Sequence, residues 1–254
     1  MGKSRGYFWA GLGLLGAFAY YLQKQYSQRN RMRIPSMEGI ENPEIVRAYN
    51  RIASLPQMAL VRRLTLRRAL NYCNEGHALD MGCGPGQLVV ELALASERLF
   101  VTGIDLSEEV LLAARARAAV AGVARRVDFR TSDATDIPLP DESLDLVVSS
   151  LSLHHWAKPV QVLNEITRVL RPGGSYVIFD LRRDMPLVAW AVIWIATKFG
   201  APQPIRRINE PMASRDAAYT PGEAARLLLQ SRLTGWEIST GLGWLIIQGS
   251  LDSR

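Results

Sequence analysis

From His77 to Phe179, short apolar runs alternate with stretches whose apolar residues recur every three or four positions. The runs Ala78–Met81, Phe100–Ile104, Val127–Arg130, Leu144–Ser149 and Ser175–Phe179 have the length of buried strands. Between them, Gln87–Ser96, Glu108–Ala121 and Val160–Leu170 carry helical spacing. Ser107 predicts an N-cap, and Glu108 and Glu109 place carboxylates where the helix dipole favours them. Strands alternating with helices predict an α/β fold: parallel βαβ units, right-handed crossovers, and helices on both faces of one sheet.

Helical patterning also precedes this region, over Glu44–Ala53 and Gln57–Asn71. In the second, Arg62, Arg63, Arg67 and Arg68 surround Leu60, Leu64 and Leu70, which predicts a solvated arginine face. After Asp180 the rhythm changes. Pro186–Phe199 is apolar with Trp190 and Trp194, Pro202 and Pro204 interrupt it, and Pro221–Gln230 is again helical. Trp236–Thr240 and Leu245–Gln248, around Gly241 and Gly243, predict a closing hairpin.

The first strand runs into Asp80-Met-Gly82-Cys-Gly84-Pro-Gly86, and a helix follows at Gln87. A strand, a glycine loop and a helix N-terminus let a backbone approach a nucleotide-like ligand closely. A dinucleotide fingerprint would need its third glycine at 87, where Gln87 stands, so a nicotinamide site is disfavoured.

The later segments fall in the order of a known family. Gly103-Ile-Asp105-Leu-Ser, Ser132-Asp133-Ala134, Leu144–His155 and Glu165–Gly174, together with the glycine loop, resemble class I S-adenosylmethionine-dependent methyltransferases over residues 44–250. The resemblance implies a Rossmann-like, seven-stranded, mostly parallel sheet whose last strand is antiparallel, and S-adenosyl-L-methionine as cofactor. It implies a cofactor site of Asp80, Gly82, Gly84, Gly86, Asp105, Leu106, Asp133, Ala134 and Ser149. Asp105, at a strand end, is placed for ribose hydroxyls, and Asp133 for the adenine amino group. His154 and His155 follow the fourth strand and are either a general base or pocket wall; His155 is the candidate chosen. Tyr49 is a candidate lid residue.

Within the family, the chain looks most like the group containing ubiquinone and menaquinone biosynthesis methyltransferases. It has no Asn-Pro-Pro-Tyr type motif after the fourth strand, which argues against relatives that methylate exocyclic amines of nucleobases. The segment 186–199 stands where that group builds its substrate cover; apolar on nearly all sides, it fits the lining of a lipophilic pocket, a seat in the membrane surface or a core helix. The expected acceptor is a small lipophilic molecule methylated at carbon or oxygen. A protein or other polar acceptor, and a non-catalytic cofactor-binding module, are the alternatives.

Charge changes the picture at one end only. The net charge of +6 comes from Lys3, Arg5, Lys24, Arg29, Arg31 and Arg33, because residues 1–33 hold no acid. The rest is balanced and gives no electrostatic case for nucleic acid. Cys73 and Cys83 have no metal-ligand spacing and read as free thiols, and no metal is expected.

Gly6–Gln23 is an uncharged stretch of 18 residues. As a helix it spans about 27 Å, against about 30 Å of hydrocarbon. Tyr7 and Trp9 at one end and Tyr20 and Tyr21 at the other suit the two interfaces, and the excess of bases after the span puts the main domain on the cytoplasmic side. A signal peptide, with Ala17-Phe-Ala19 as cleavage site, and an interfacial helix also fit. The expected organisation is an N-terminal membrane-anchor helix at 1–23, a linker at 24–42, and a methyltransferase domain at 43–254 with an apolar cover at 186–219. The corresponding location is a membrane, single-pass.

Overall fold

A computed structural model describes residues 17, 19–24, 26, 27, 32–35 and 43–253. Residues 1–16, most of the 24–42 linker, and the side chain of Tyr49 lie outside what is described, so the expectations placed on them do too. Among the described residues no helix is long and apolar enough to cross a membrane.

Seven strands form one sheet: β1 (Gly76–Met81), β2 (Leu99–Asp105), β3 (Val127–Thr131), β4 (Leu144–Ser150), β5 (Leu170–Leu181), β6 (Trp236–Thr240) and β7 (Trp244–Ser250). Their order is β3-β2-β1-β4-β5-β7-β6. The first five are parallel, and β7 runs antiparallel to both β5 and β6. The hairpin expected at the C-terminus is the β6–β7 pair that closes this edge. Strand order reverses between β1 and β4, the position where open α/β sheets form a ligand crevice at their carboxyl edge.

Both sheet faces are covered, as the apolar strands require. Successive side chains of β5 alternate between two cores, Tyr176 and Ile178 in one, Val177 and Phe179 in the other. The first core is closed by Val162, Leu163 and Ile166 of α5 (Pro159–Val169) and by Ala224 and Leu228 of α9 (Pro221–Gln230). The second is closed by α2 (Pro56–Tyr72), α3 (Gln87–Ala95) and α4 (Glu108–Val120), through Ala69, Leu92, Leu111 and Ala114 among others. Each fully buried Leu, Ile or Val contributes roughly 1.5–3 kcal/mol relative to exposure. Ser107 caps α4 by accepting from the Val110 amide at 3.4 Å.

The arginine face of α2 is only half solvated. Arg63 and Arg67 are exposed, whereas Arg62 pairs with Glu91 at 2.8 Å and Arg68 donates to Gln248 at 2.9 Å. Stripe periodicity does not reveal that α3 and β7 bring polar partners to that side of the helix. Both cysteines are free thiols, and Cys83 is buried.

A third, smaller core lies above the carboxyl edge. Met185, Trp190 and Met212 are packed by Leu22, Tyr26 and Trp194. Trp190 belongs to α6 (Leu187–Ile195), which continues as a π turn over Ala196–Gly200, and α7 (Gln203–Arg207) and α8 (Met212–Ala217) follow. The Tyr26 hydroxyl donates to the Met185 carbonyl at 2.9 Å, and its ring meets Trp190 edge-on at 5.9 Å. The described N-terminal residues thus rest on the apolar cover.

Candidate active site

The glycine loop is shaped by backbone geometry that side chains oppose. Gly86 has φ +73°, and a Cβ there would lie 2.7 Å from the Ala114 Cβ. Gly84 has φ +52° with no heavy atom within 4 Å of a Cβ position, so its bare side faces open space. The loop hangs on β2: Gly82 and Cys83 both donate to the Ile104 carbonyl at 2.9 Å, and Gly84 donates to Asp105 Oδ2 at 2.9 Å. Asp105 Oδ1 accepts from the Ser107 amide at 3.0 Å, so one carboxylate joins the loop to the cap of α4. Gly86→Ala is expected to destabilise the fold by about 1–3 kcal/mol from the positive φ alone, with the Ala114 contact adding to it. Thermal unfolding checks this, and an unchanged midpoint would remove the packing argument.

Two polar atoms of this loop are buried without a hydrogen-bond partner among the described residues, Asp80 Oδ1 and Gln87 Nε2. Burial, and then the negative charge of Asp105, push the Asp80 carboxyl up to about 8. Buried orphans of this kind carry an energetic cost unless a ligand or water meets them. Here an acceptor and a donor line one cavity of about 590 Å³.

That cavity lies between α1 (Pro43–Ala53), α2, the loop and the cover. Ile52, Leu55, Met58, Val192, Ile193 and Ile205 supply apolar wall, and His154, Glu210 and Ser214 supply a polar patch. A second cavity, of about 460 Å³, is lined by 70–75, Asp145 and 171–175 and holds none of the candidate residues.

The polar patch is built around a buried carboxylate. Asp180 closes β5 and accepts from the His154 backbone amide at 2.8 Å, while its other oxygen meets His154 Nδ1 at 2.6 Å. Both side chains are buried. His154 therefore has a fixed ring orientation at the cavity wall. The His155 ring centre lies 3.8 Å from that of His154, tilted by 52°, and His155 does not line the cavity. Glu210 accepts from the Ser214 amide at 3.2 Å and from its hydroxyl at 2.6 Å. Burial raises the Glu210 carboxyl, while the Ser214 bonds and the two histidines act against that rise.

Arg33 reaches this patch from the N-terminal side. Its Nε donates to the Ala217 carbonyl at 2.6 Å and an Nη to the His154 carbonyl at 2.9 Å. Its guanidinium lies 4.1 Å from the Tyr219 ring centre.

The structure brings only part of the expected site to the cavity. Asp80, Gly82 and Gly84 line it, and Asp105 touches it through Gly84. Gly86 supports the loop from behind. Leu106 is exposed at the end of β2, and Asp133 and Ala134 follow β3 one strand over, Asp133 accepting from the Thr135 amide at 2.8 Å. Ser149 is fully buried and its hydroxyl donates to the Met81 carbonyl at 2.9 Å, which ties β4 to β1. Its side chain is therefore structural. The sequence reading missed Gln87, Asp180, Glu210 and Arg33. An acid ending an apolar run, as Asp80 does, was the available signal for Asp180; Glu210 and Arg33 carry none.

The sheet order, antiparallel seventh strand and glycine loop define the class I methyltransferase fold. Residues 79–178 match the family model described as a methyltransferase domain. Over 102 residues the chain is 42% identical to 27-O-demethylrifamycin SV methyltransferase of Amycolatopsis mediterranei, covering 40% of this chain and 37% of that protein. It is 30% identical over 132 residues to the ubiquinone/menaquinone biosynthesis C-methyltransferase of Geotalea daltonii, covering 52% of this chain and 56% of the other. The chain thus spans 37% and 56% of the length of these two curated relatives. A solved structure assigned as an S-adenosyl-L-methionine-dependent methyltransferase, from Methanococcus maripaludis, superposes with TM-score 0.64 at 22% identity, covering 86% of this chain and 99% of that one.

Proposed function

We propose that this protein is an S-adenosylmethionine-dependent methyltransferase that modifies a small lipophilic acceptor, at carbon or oxygen, beside a membrane. The observation that carries the reading is the pairing of orphaned Asp80 and Gln87 at the glycine loop with an apolar cavity holding one polar patch. The donor set fits the cofactor. Asp80 would accept from an ammonium and Gln87 would donate to a carboxylate, the two groups of an amino-acid moiety. Asp105 would meet ribose hydroxyls, Asp133 the adenine amino group, and Leu106 and Ala134 would flank the base. When bound, S-adenosylmethionine supplies an electrophilic methyl group.

The chain's own contribution is alignment, exclusion of water and handling of a proton. His154 replaces His155 as the proposed base. With Nδ1–H donated to Asp180, the basic lone pair lies on Nε2, and the acceptor's hydroxyl or enol proton is taken there. The apolar wall orients the rest of the acceptor and keeps the site dry. Both curated relatives named above carry names of small-molecule methyltransferases, which supports the acceptor class. The uncharged Gly6–Gln23 stretch supports a membrane location, as a single-pass anchor with the domain on the cytoplasmic side.

The test is incubation with methyl-labelled cofactor and a membrane lipid extract. Label should enter the organic fraction. Label in the protein fraction would shift the acceptor to polypeptide, and calorimetric binding without any transfer would make this a binding module.

A further inference from the structure

Among the described residues, the cover helix that walls the cavity leaves one side largely exposed. Val188, Val192, Ile195 and Phe199 are exposed by 76, 62, 47 and 75%, at spacings of four, three and four residues. That is one helical face, roughly 16 Å long. Its opposite side is satisfied: Trp190 is buried, and Trp194 stacks on Trp190 and meets Phe199 edge-on at 6.2 Å.

Cations border the apolar row. Between Met185 and Asn209 the chain has Lys198, Arg206 and Arg207 and no acid. All three are exposed, and Arg206 reaches back to the Lys198 carbonyl at 3.4 Å, beside Phe199. The end of the uncharged N-terminal stretch lies against the other side of the same helix, where Tyr21 packs on Trp194 at 6.4 Å.

We propose that this face docks on the surface of an anionic lipid bilayer, with Val188, Val192, Ile195 and Phe199 entering the interface and Lys198, Arg206 and Arg207 meeting headgroup phosphates. Apolar residues on one side of a helix with cations at its border suit an interfacial seat. A second copy of the chain would set those cations against their own equivalents. Val192 and Ile193 also line the cavity, so docking puts its mouth against the source of a lipophilic acceptor. This deepens the reading above by naming the acceptor's route, yet its test needs neither cofactor nor acceptor, so failure here leaves methyl transfer untouched.

The experiment uses the full chain with Cys73→Ser and Val188→Cys, labelled with an environment-sensitive dye at 188. The control carries the dye at Val120, exposed by 92% at the far end of α4. With phosphatidylcholine–phosphatidylglycerol vesicles, emission at 188 should shift to the blue and be quenched by spin-labelled lipid. Both effects should weaken in high salt or with phosphatidylcholine alone. Emission at 120 should not change. The proposal is overturned if 188 behaves like 120, which would leave attachment to the N-terminal stretch alone. It is also overturned if the dye is shielded before vesicles are added, meaning the chain's own N-terminal residues cover the face, or if shielding grows with protein concentration, meaning a second copy does.

Discussion

Replacing His154 with alanine is expected to lower kcat by about 10²–10⁴-fold, the usual worth of a positioned general base. Cofactor affinity should hold, because His154 stands on the polar patch and not on the glycine loop. A wall residue would behave differently: KM for the acceptor would rise and kcat would fall little. Asp180→Asn supplies the companion measurement. It keeps an acceptor oxygen but loses the charge and the paired 2.6 and 2.8 Å contacts that orient the ring. A drop in kcat at nearly constant KM would mark Asp180 as a positioning residue, and an unchanged kcat in both variants would overturn the base assignment.

Asp80→Asn is expected to weaken cofactor binding by about 10–100-fold, because a hydrogen bond to a charged partner contributes roughly 1.5–3 kcal/mol. Its pH behaviour makes the prediction more exacting. The folded carboxyl is pushed up to about 8, against about 3.9 in an unfolded chain. Between those values the folded state holds a proton that the unfolded state has released. Stability of the ligand-free protein is therefore intact below pH 4 and falls as pH rises toward 8. The asparagine variant lacks this slope and should melt higher than wild type at pH 8, while binding cofactor worse. Binding to wild type near neutrality should also release a proton, which calorimetry in buffers of different ionisation enthalpy would detect. A flat difference between the two melting profiles across pH 5–8 would show that Asp80 is ionised before the ligand arrives.

The fold was legible because its strands are apolar on both faces and therefore read as runs, with the helices between them. Each of the five runs from Ala78 to Phe179 lies inside an observed strand, and the closing hairpin lies where Gly241 and Gly243 indicated. The glycine loop was legible for a related reason: glycines at 82, 84 and 86 are dictated by local backbone geometry that the sequence itself carries. The acceptor side was not. Asp180 and His154 lie 26 residues apart and Arg33 and His154 lie 121 apart, and only tertiary packing joins them. His155 looked equivalent to His154 on paper, and a one-residue step along a short turn decides which ring meets the cavity. The outward row of α6 was hidden too, because a helix apolar on nearly all sides gives periodicity no contrast to report.

The guanidinium of Arg33 links chain length to chemistry. A chain shortened to begin at Pro43 keeps every strand and the whole glycine loop. It would nevertheless lose the donor to the His154 carbonyl, the donor to the Ala217 carbonyl and the cation over Tyr219 in a single edit. Such a sample would bind cofactor on an undisturbed loop and turn over poorly. Sluggish turnover measured on a trimmed preparation would therefore report on the trimming before it reported on the choice of substrate.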